Sequence, residues 1–108
     1  MKNGIENGYY KEINPAGFGV VIKTGKVLVS KQTKFQKLEI FESDSKLGRV
    51  LTLDDLMMTT EGDEWHYHEM ISHVPMNSHP NPKQVLVIGG GDGGTIREVL
   101  RHPTVERV

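Results

Sequence analysis

The chain has 108 residues, with 13 basic and 14 acidic side chains, a net charge of −1 and no cysteine. Such a balance gives no electrostatic case for nucleic acid or an anionic membrane as partner, and the lack of cysteine excludes disulfides and thiolate metal sites. No apolar run approaches the ~20 residues of a membrane-spanning helix, and Met1–Gly8 carries no signal-like apolar core, so the expectation is a soluble, cytoplasmic protein with one modest core.

In chain order, residues 1–16 are polar, with Gly4, Gly8 and Pro15, and read as a loosely held opening segment anchored by Tyr9 and Tyr10. From Gly17 short β-like runs follow: Phe18–Lys23, then Gly25 as a turn, Lys26–Lys31, Phe35–Phe41, Arg49–Leu53, an Asp54-Asp55 turn, and Leu56–Thr60. Strand-sized runs at intervals of about 8–12 residues predict an antiparallel meander or small barrel-like sheet. Lys23, Lys26, Lys31, Lys34 and Lys37 alternate with apolar residues and read as a solvated strand face. Phe35 and Phe41 read as core. Gln36, in the Thr33–Glu39 run, carries little meaning by itself.

At Glu61-Gly62-Asp63-Glu64 the period changes. Asp63 is placed to cap a helix, with Glu64 in the first turn where the dipole favours acids. Trp65, Met70, Ile71 and Val74 give helical spacing to about Pro75. Ser78-His79-Pro80-Asn81-Pro82 is a stiff linker, because each proline fixes φ and restricts its predecessor. The expected organisation is a β-rich domain over 1–60, a helix and Pro-rich linker over 61–82, and the start of a Rossmann-like domain over 83–108.

That last part opens with Val85-Leu86-Val87-Ile88, which reads as a fully buried parallel strand. It runs into Gly89-Gly90-Gly91-Asp92-Gly93-Gly94 and then a helical segment, Thr95–Leu100. Strand, glycine turn and helix form the first unit of a nucleotide-binding α/β fold. The glycines permit φ > 0 and close approach of a ligand to the backbone. Gly89, Gly91 and Gly94 fit the dinucleotide pattern G-x-G-x-x-G. Gly89, Gly91 and Gly93 fit equally well the G-x-G-x-G turn of S-adenosylmethionine-type folds. Asp92 distinguishes them: a carboxylate there repels a pyrophosphate and attracts an ammonium or sulfonium. The alternative is that Asp92 only caps the helix that follows. Val105–Val108 resemble the opening of a further parallel strand, so the sequence reads as cut off within a domain.

Glu64-Trp65-His66-Tyr67-His68-Glu69 suggests zinc, but the zincin spacing fails: Ser72 lies four residues beyond His68, and His73 comes one place late. No metal site is expected. Tyr67 and His68 are read as turned toward a pocket, and His66, His73, His79 and His102 as ordinary surface or hydrogen-bonded histidines. No serine or cysteine nucleophile has a supporting context.

Several separate stretches together resemble the spermidine synthase family: Phe35-Gln36 through Glu42-Ser43, Val50–Asp54, Thr60–Glu64 with Tyr67-His68-Glu69-Met70, His79–Lys83, the glycine turn, and Arg97–Pro103. The resemblance runs in order from about residue 17 to 108. It implies the N-terminal portion of an aminopropyltransferase, with an antiparallel β-sheet followed by the first strand-turn-helix of a Rossmann-like fold. Such enzymes move the aminopropyl group of decarboxylated S-adenosylmethionine, a co-substrate rather than a cofactor, to putrescine, giving spermidine and 5′-methylthioadenosine. By this resemblance Asp92 holds the aminopropyl ammonium and Gln36 contacts the nucleoside substrate. Tyr67 and His68 face the diamine, with Tyr67 orienting the attacking nitrogen. Gly89, Gly90, Gly91, Gly93 and Gly94 line the nucleoside pocket. A homodimer or homotetramer is implied. The ribose-binding acid and the catalytic aspartate are expected beyond Val108, so this segment alone is expected to be inactive. Asp55 stands where the family usually has glycine after the Leu-Asp pair. Two other readings are a non-catalytic oligomerisation module and an NAD-binding domain.

Overall fold

A computed structural model describes residues 3–108. The chain divides into two compact units, one running to Gly62 and the other from Asp63 to Val108. A six-stranded antiparallel sheet makes up the first, and two helices with their connecting loops make up the second.

The sheet is a meander whose spatial order equals its chain order. Its strands are β1 (Gly4–Glu6), β2 (Tyr9–Ile13), β3 (Gly19–Gln32), β4 (Lys37–Ser43), β5 (Arg49–Leu53) and β6 (Leu56–Thr60). The opening segment is therefore not loosely held, although Met1 and Lys2 lie outside the described residues. Asn7 and Gly8 both have positive φ, 51° and 78°, which makes the tight hairpin turn that pairs Glu6 with Tyr9. An Asn-Gly pair is a strong hairpin signal, and here it outweighs the polarity of its surroundings.

Gly25 is not a turn either. It lies inside the long strand β3, where the register slips between Thr24 and Val27 and again between Val27 and Val29. Such bulges bend a strand and sharpen its twist. The N-terminal half of β3 pairs with β2 through Gly19–Lys23, and the remainder pairs with β4 from Thr24 to Gln32. One strand thus spans both halves of the sheet.

Asp54 and Asp55 form the β5–β6 turn with φ of 50° and 64°. Left-handed backbone is strained for most side chains, but Asp tolerates it best after Gly and Asn. The two carboxylates are also engaged: Asp54 accepts from the Lys37 amide at 2.8 Å, and Asp55 receives the Lys37 ammonium at 2.8 Å. Those contacts stabilise both aspartates in the turn.

The core of the sheet unit consists of Tyr10, Ile22, Phe41 and Val50, with Ile5, Leu47 and Met57 against it. The Tyr10 and Phe41 rings are 5.5 Å apart, within the range of favourable aromatic pairs. Phe35, expected in the core, is 84% exposed. It lies in the loop between β3 and β4, where the Thr33 hydroxyl accepts from the Phe35 and Gln36 amides and donates to the Gln36 carbonyl. Thr33 thus closes a turn where a strand was expected, and β4 begins only at Lys37.

Buried Tyr10 brings a polar atom into the core. Its hydroxyl donates to the Glu12 carboxylate at 2.6 Å and lies 3.1 Å from the Asp55 carbonyl, and Glu12 also accepts from the Met57 amide at 2.8 Å. Burial, then the Glu12 hydrogen bond, push the phenol ionisation upward, so Tyr10 stays a donor. Tyr10→Phe is expected to cost about 1–2 kcal/mol, because Glu12 loses a donor while the ring packing survives. Urea unfolding of the two proteins measures it.

In the second unit, α1 spans Glu64–Ser78 and α2 spans Gly94–Val99. The side of α1 that is buried carries His68, Ser72 and Met76, spaced at i, i+4 and i+8. The apolar stripe read from the sequence points elsewhere: Trp65, Met70, Ile71 and Val74 are all exposed. Polar side chains can take the inner face because they have partners there. Ser72 Oγ, for example, donates to the Thr95 carbonyl at 3.4 Å. The helix also continues through Pro75, which costs one backbone donor.

Val85–Ile88 does not form the buried strand expected. A single parallel bridge joins Gln84 to Arg107, supported by the Val85 amide on the Arg107 carbonyl at 2.9 Å. Leu86 and Ile88 are 83% and 90% exposed. A parallel strand is stable when flanked and covered on both faces, and one bridge does not provide that. Residues 105–108 nonetheless lie parallel to 83–85, as expected for the start of a parallel sheet.

Candidate functional site

Gly89, Gly90 and Gly93 have φ of 89°, 64° and 82°, a region open to glycine and costly for other residues. The turn closes with the Gly93 amide on the Gly90 carbonyl at 3.0 Å. A Cβ at Gly89, Gly91 or Gly93 would meet nothing within 4 Å. At Gly91, where φ is ordinary, neither backbone conformation nor packing within the chain requires glycine.

Gly94 differs. A Cβ there would collide with the imidazole of His68. Gly94 is the first residue of α2, so the helix begins pressed against His68 of α1. Gly94→Ala is expected to destabilise the protein by about 1–3 kcal/mol, because a buried ring or the helix start must shift. A denaturant titration measures the loss, and Gly91→Ala serves as the neutral control.

Asp92 stands in this turn with its side chain 28% exposed. Its Oδ1 accepts from the Gly94 amide at 2.8 Å and lies 3.3 Å from His68 Nε2. The capping reading is thus met in geometry: the carboxylate takes one of the donors left over at the start of α2. Among the described residues Oδ2 has no hydrogen-bond partner.

His68 is buried, and its Nδ1 contacts the Glu64 carboxylate one turn earlier. Arg97 Nη2 donates to both Glu64 oxygens at 2.9 Å. The Arg97 hydrogen bond first, and His68 to a lesser degree, hold the Glu64 carboxyl below its ordinary range despite desolvation. A continuous chain of contacts therefore runs Arg97–Glu64–His68–Asp92.

Below it lies a second polar cluster. Glu98 is buried and accepts from Arg97 Nε and Arg101 Nη1, both at 2.8 Å, with His73 Nε2 at 3.3 Å. His73 Nδ1 is 2.9 Å from His102 Nε2. Hydrogen bonds from Arg97 and then Arg101 lower the Glu98 carboxyl to about 2 from an ordinary 4.5. A depressed folded pKa gives stability that is present in full above about pH 4.5 and lost as the pH falls toward 2. Wild type should therefore lose stability across that interval more steeply than Glu98→Gln, as followed by thermal melts at successive pH values.

Of the other residues expected at a site, Tyr67 is 62% exposed and meets His68 edge-on with ring centroids 5.3 Å apart. Gln36 belongs to the sheet unit, in the Thr33 turn, half-buried and held through its backbone. The second unit thus brings together His68, Asp92 and Gly94. Sequence reading missed Glu64, Arg97 and Glu98 as their partners. The Glu64–His68 pair carried a signal, since i and i+4 meet on a helix. Arg97 carried none, because its partner Glu64 is 33 residues away. Among the described residues, no group of three or more His, Asp or Glu side chains could hold a metal ion. No helix among the described residues is long and apolar enough to cross a membrane.

Known families match both units. The spermidine synthase tetramerisation domain matches residues 8–61, and the spermine/spermidine synthase domain matches residues 64–108. The antiparallel sheet is thus of a class found in an oligomeric synthase, and the glycine turn belongs to the synthase domain itself. The chain belongs to the spermidine synthase, or polyamine aminopropyltransferase, family and corresponds to its N-terminal portion. The polyamine aminopropyltransferase of Bacillus subtilis is 50% identical over 99 residues, which are 92% of this chain and 36% of that protein. That of Leptospira biflexa is 58% identical over 92 residues, 85% of this chain and 32% of the relative. The crystal structure of spermidine synthase from Thermotoga maritima superposes with a TM-score of 0.87 at 50% identity, covering 96% of this chain and 37% of that one. A spermidine synthase in complex with the transition-state analogue AdoDATO gives 0.88 at 50% identity, with 96% and 36% covered. The chain spans about a third of the length of these relatives.

Proposed function

We propose that this chain forms the N-terminal part of a spermidine synthase, which transfers the aminopropyl group of decarboxylated S-adenosylmethionine to putrescine and releases 5′-methylthioadenosine. In that reaction the amine nitrogen forms a bond to the carbon attached to the sulfonium, the C–S bond breaks, and sulfur leaves as a neutral thioether. The nitrogen must lose one proton before it attacks, and the positive charge lost from sulfur then rests on the product's secondary ammonium, so catalysis consists of positioning and general-base work. The aspartate expected to act as base is not among these residues. In this reading Gly89–Gly94 line the nucleoside pocket, Gln36 contacts the nucleoside, and Tyr67 orients the attacking amine beside His68.

The observation that carries the reading is the Asp92 carboxylate in the glycine turn. One oxygen is used by the turn, and the other makes no hydrogen bond among the described residues. Capping the helix and binding an ammonium therefore draw on different lone pairs, and neither excludes the other. An NAD-binding role fits less well, since a pyrophosphate would meet this negative charge. The oligomerisation reading stands beside the enzymatic one. The match of the sheet unit to a tetramerisation domain and the exposed Val20, Val21, Val27 and Val29 of β3 favour a homotetramer or homodimer.

In the full-length protein, Asp92→Asn preserves size and removes the charge. Loss of a charge-assisted hydrogen bond should weaken decarboxylated S-adenosylmethionine by about ten- to 150-fold, or roughly 1.5–3 kcal/mol. Methylthioadenosine lacks the ammonium and should change little. Calorimetric titration of both ligands decides it: equal weakening would leave Asp92 with only its capping role.

A further inference from the structure

Two features restrain the His68 ring, and they restrain different motions. Gly94 lies against the imidazole with no room for a Cβ, which fixes the plane of the ring. Packing of that kind does not distinguish the two orientations related by a half-turn about the Cβ–Cγ bond, because ring carbons and nitrogens are nearly the same size. Glu64 does distinguish them. An ionised carboxylate only accepts hydrogen bonds, so its contact with His68 requires a proton on Nδ1 and places that nitrogen toward α1. Nε2 then stands 3.3 Å from Asp92 Oδ1. The hydrogen bond made by one imidazole nitrogen sets the state of the other. Glu64 in turn has little freedom, since Arg97 Nη2 holds both of its oxygens while Arg97 Nε is fixed on buried Glu98.

We infer that Glu64, clamped by Arg97, is a positioning residue for Asp92: by taking the Nδ1 proton of His68 it fixes the ring and keeps Nε2, 3.3 Å from Asp92, from donating to that carboxylate and competing for it. Glu64 need not touch a ligand, because it acts through His68. The inference rests on the reading of Asp92 as the carboxylate that receives the ammonium of the aminopropyl donor. Among the described residues, the charged and titratable groups around His68 are Glu64 and Tyr67 on its own helix, Asp92 in the turn, and Arg97 of α2 behind Glu64.

The test uses Glu64→Leu and Glu64→Gln in the full-length protein. Leucine cannot accept the Nδ1 proton, whereas the glutamine carbonyl can. Glu64→Leu should weaken decarboxylated S-adenosylmethionine about tenfold and leave methylthioadenosine within about twofold, and Glu64→Gln should recover most of the loss. Nitrogen NMR of labelled histidine should show Nδ1 of His68 protonated in wild type and in Glu64→Gln, and a tautomer mixture in Glu64→Leu. Added to Asp92→Asn, Glu64→Leu should weaken the donor no further, since the pair acts as a unit. Should Glu64→Leu fail to fold, Arg97→Met, which unclamps Glu64, carries the same expectation for the two ligands. Equal weakening of both ligands, or an unchanged His68 spectrum, would overturn the inference and leave Glu64 as a stability residue. If Asp92→Asn itself fails to discriminate the ligands, the reading of Asp92 falls, while the histidine spectra still decide whether Glu64 sets the ring.

Discussion

A single buried imidazole organises the second unit. His68 comes from the middle of α1, meets the first residue of α2 at Gly94, and touches carboxylates at both ring nitrogens. Removing polar groups from water is unfavourable unless their hydrogen bonds are replaced. Here Glu64 accepts from Nδ1, and both carboxylates beside the ring are anchored elsewhere: Glu64 by Arg97, Asp92 by the Gly94 amide. The identity of residue 94 follows from this arrangement, because any side chain there would push out the ring. α2 has only six residues, too few to be stable by itself. Its position comes from these polar contacts and from buried Val99 and Glu98.

The sheet unit solves a similar problem with an aromatic. Tyr10 supplies the large buried ring that a short hairpin strand needs, and its hydroxyl is satisfied by Glu12, which also takes the Met57 amide. One carboxylate thereby links the first hairpin to the last strand of the meander. Much of β3, by contrast, leaves its apolar side chains uncovered. Exposed β-branched residues on one strand are what a sheet used in subunit contacts would present, in keeping with a family described as a tetramerisation domain.

Much of this was legible in the sequence, and the failures have physical reasons. The meander, the Asp54-Asp55 turn, the helix after Asp63 and the glycine turn follow from alternation, turn chemistry and period. Gly25 misled because a glycine within an apolar run signals a bulge as readily as a turn. Phe35 misled because a single threonine hydroxyl closed a turn around it. The face of α1 was misread because hydrophobicity marks only faces buried among apolar groups. This face is buried among carboxylates and a helix start, and α1 carries its apolar residues outward. At the candidate site, Asp92 stood out in the sequence because a charge among glycines is anomalous. Arg97 could not, because a long-range ion pair leaves no periodic trace.

In the reading proposed above, the two oxygens of Asp92 also bear on how a turn takes a cation and is still ordered without one. A carboxylate held only by its ligand would stand uncompensated in the empty state and repel its acidic surroundings. Asp92 avoids this by having Oδ1 on a backbone amide at a helix start, where the dipole favours negative charge. The remaining oxygen keeps its lone pairs, and the Arg97–Glu64–His68 chain limits how far the carboxylate can turn. In that reading, a turn ordered in this way loses less entropy when a ligand binds. In this way the glycines and the carboxylate complement each other: the glycines open space around the backbone, and the fixed charge gives that space its sign.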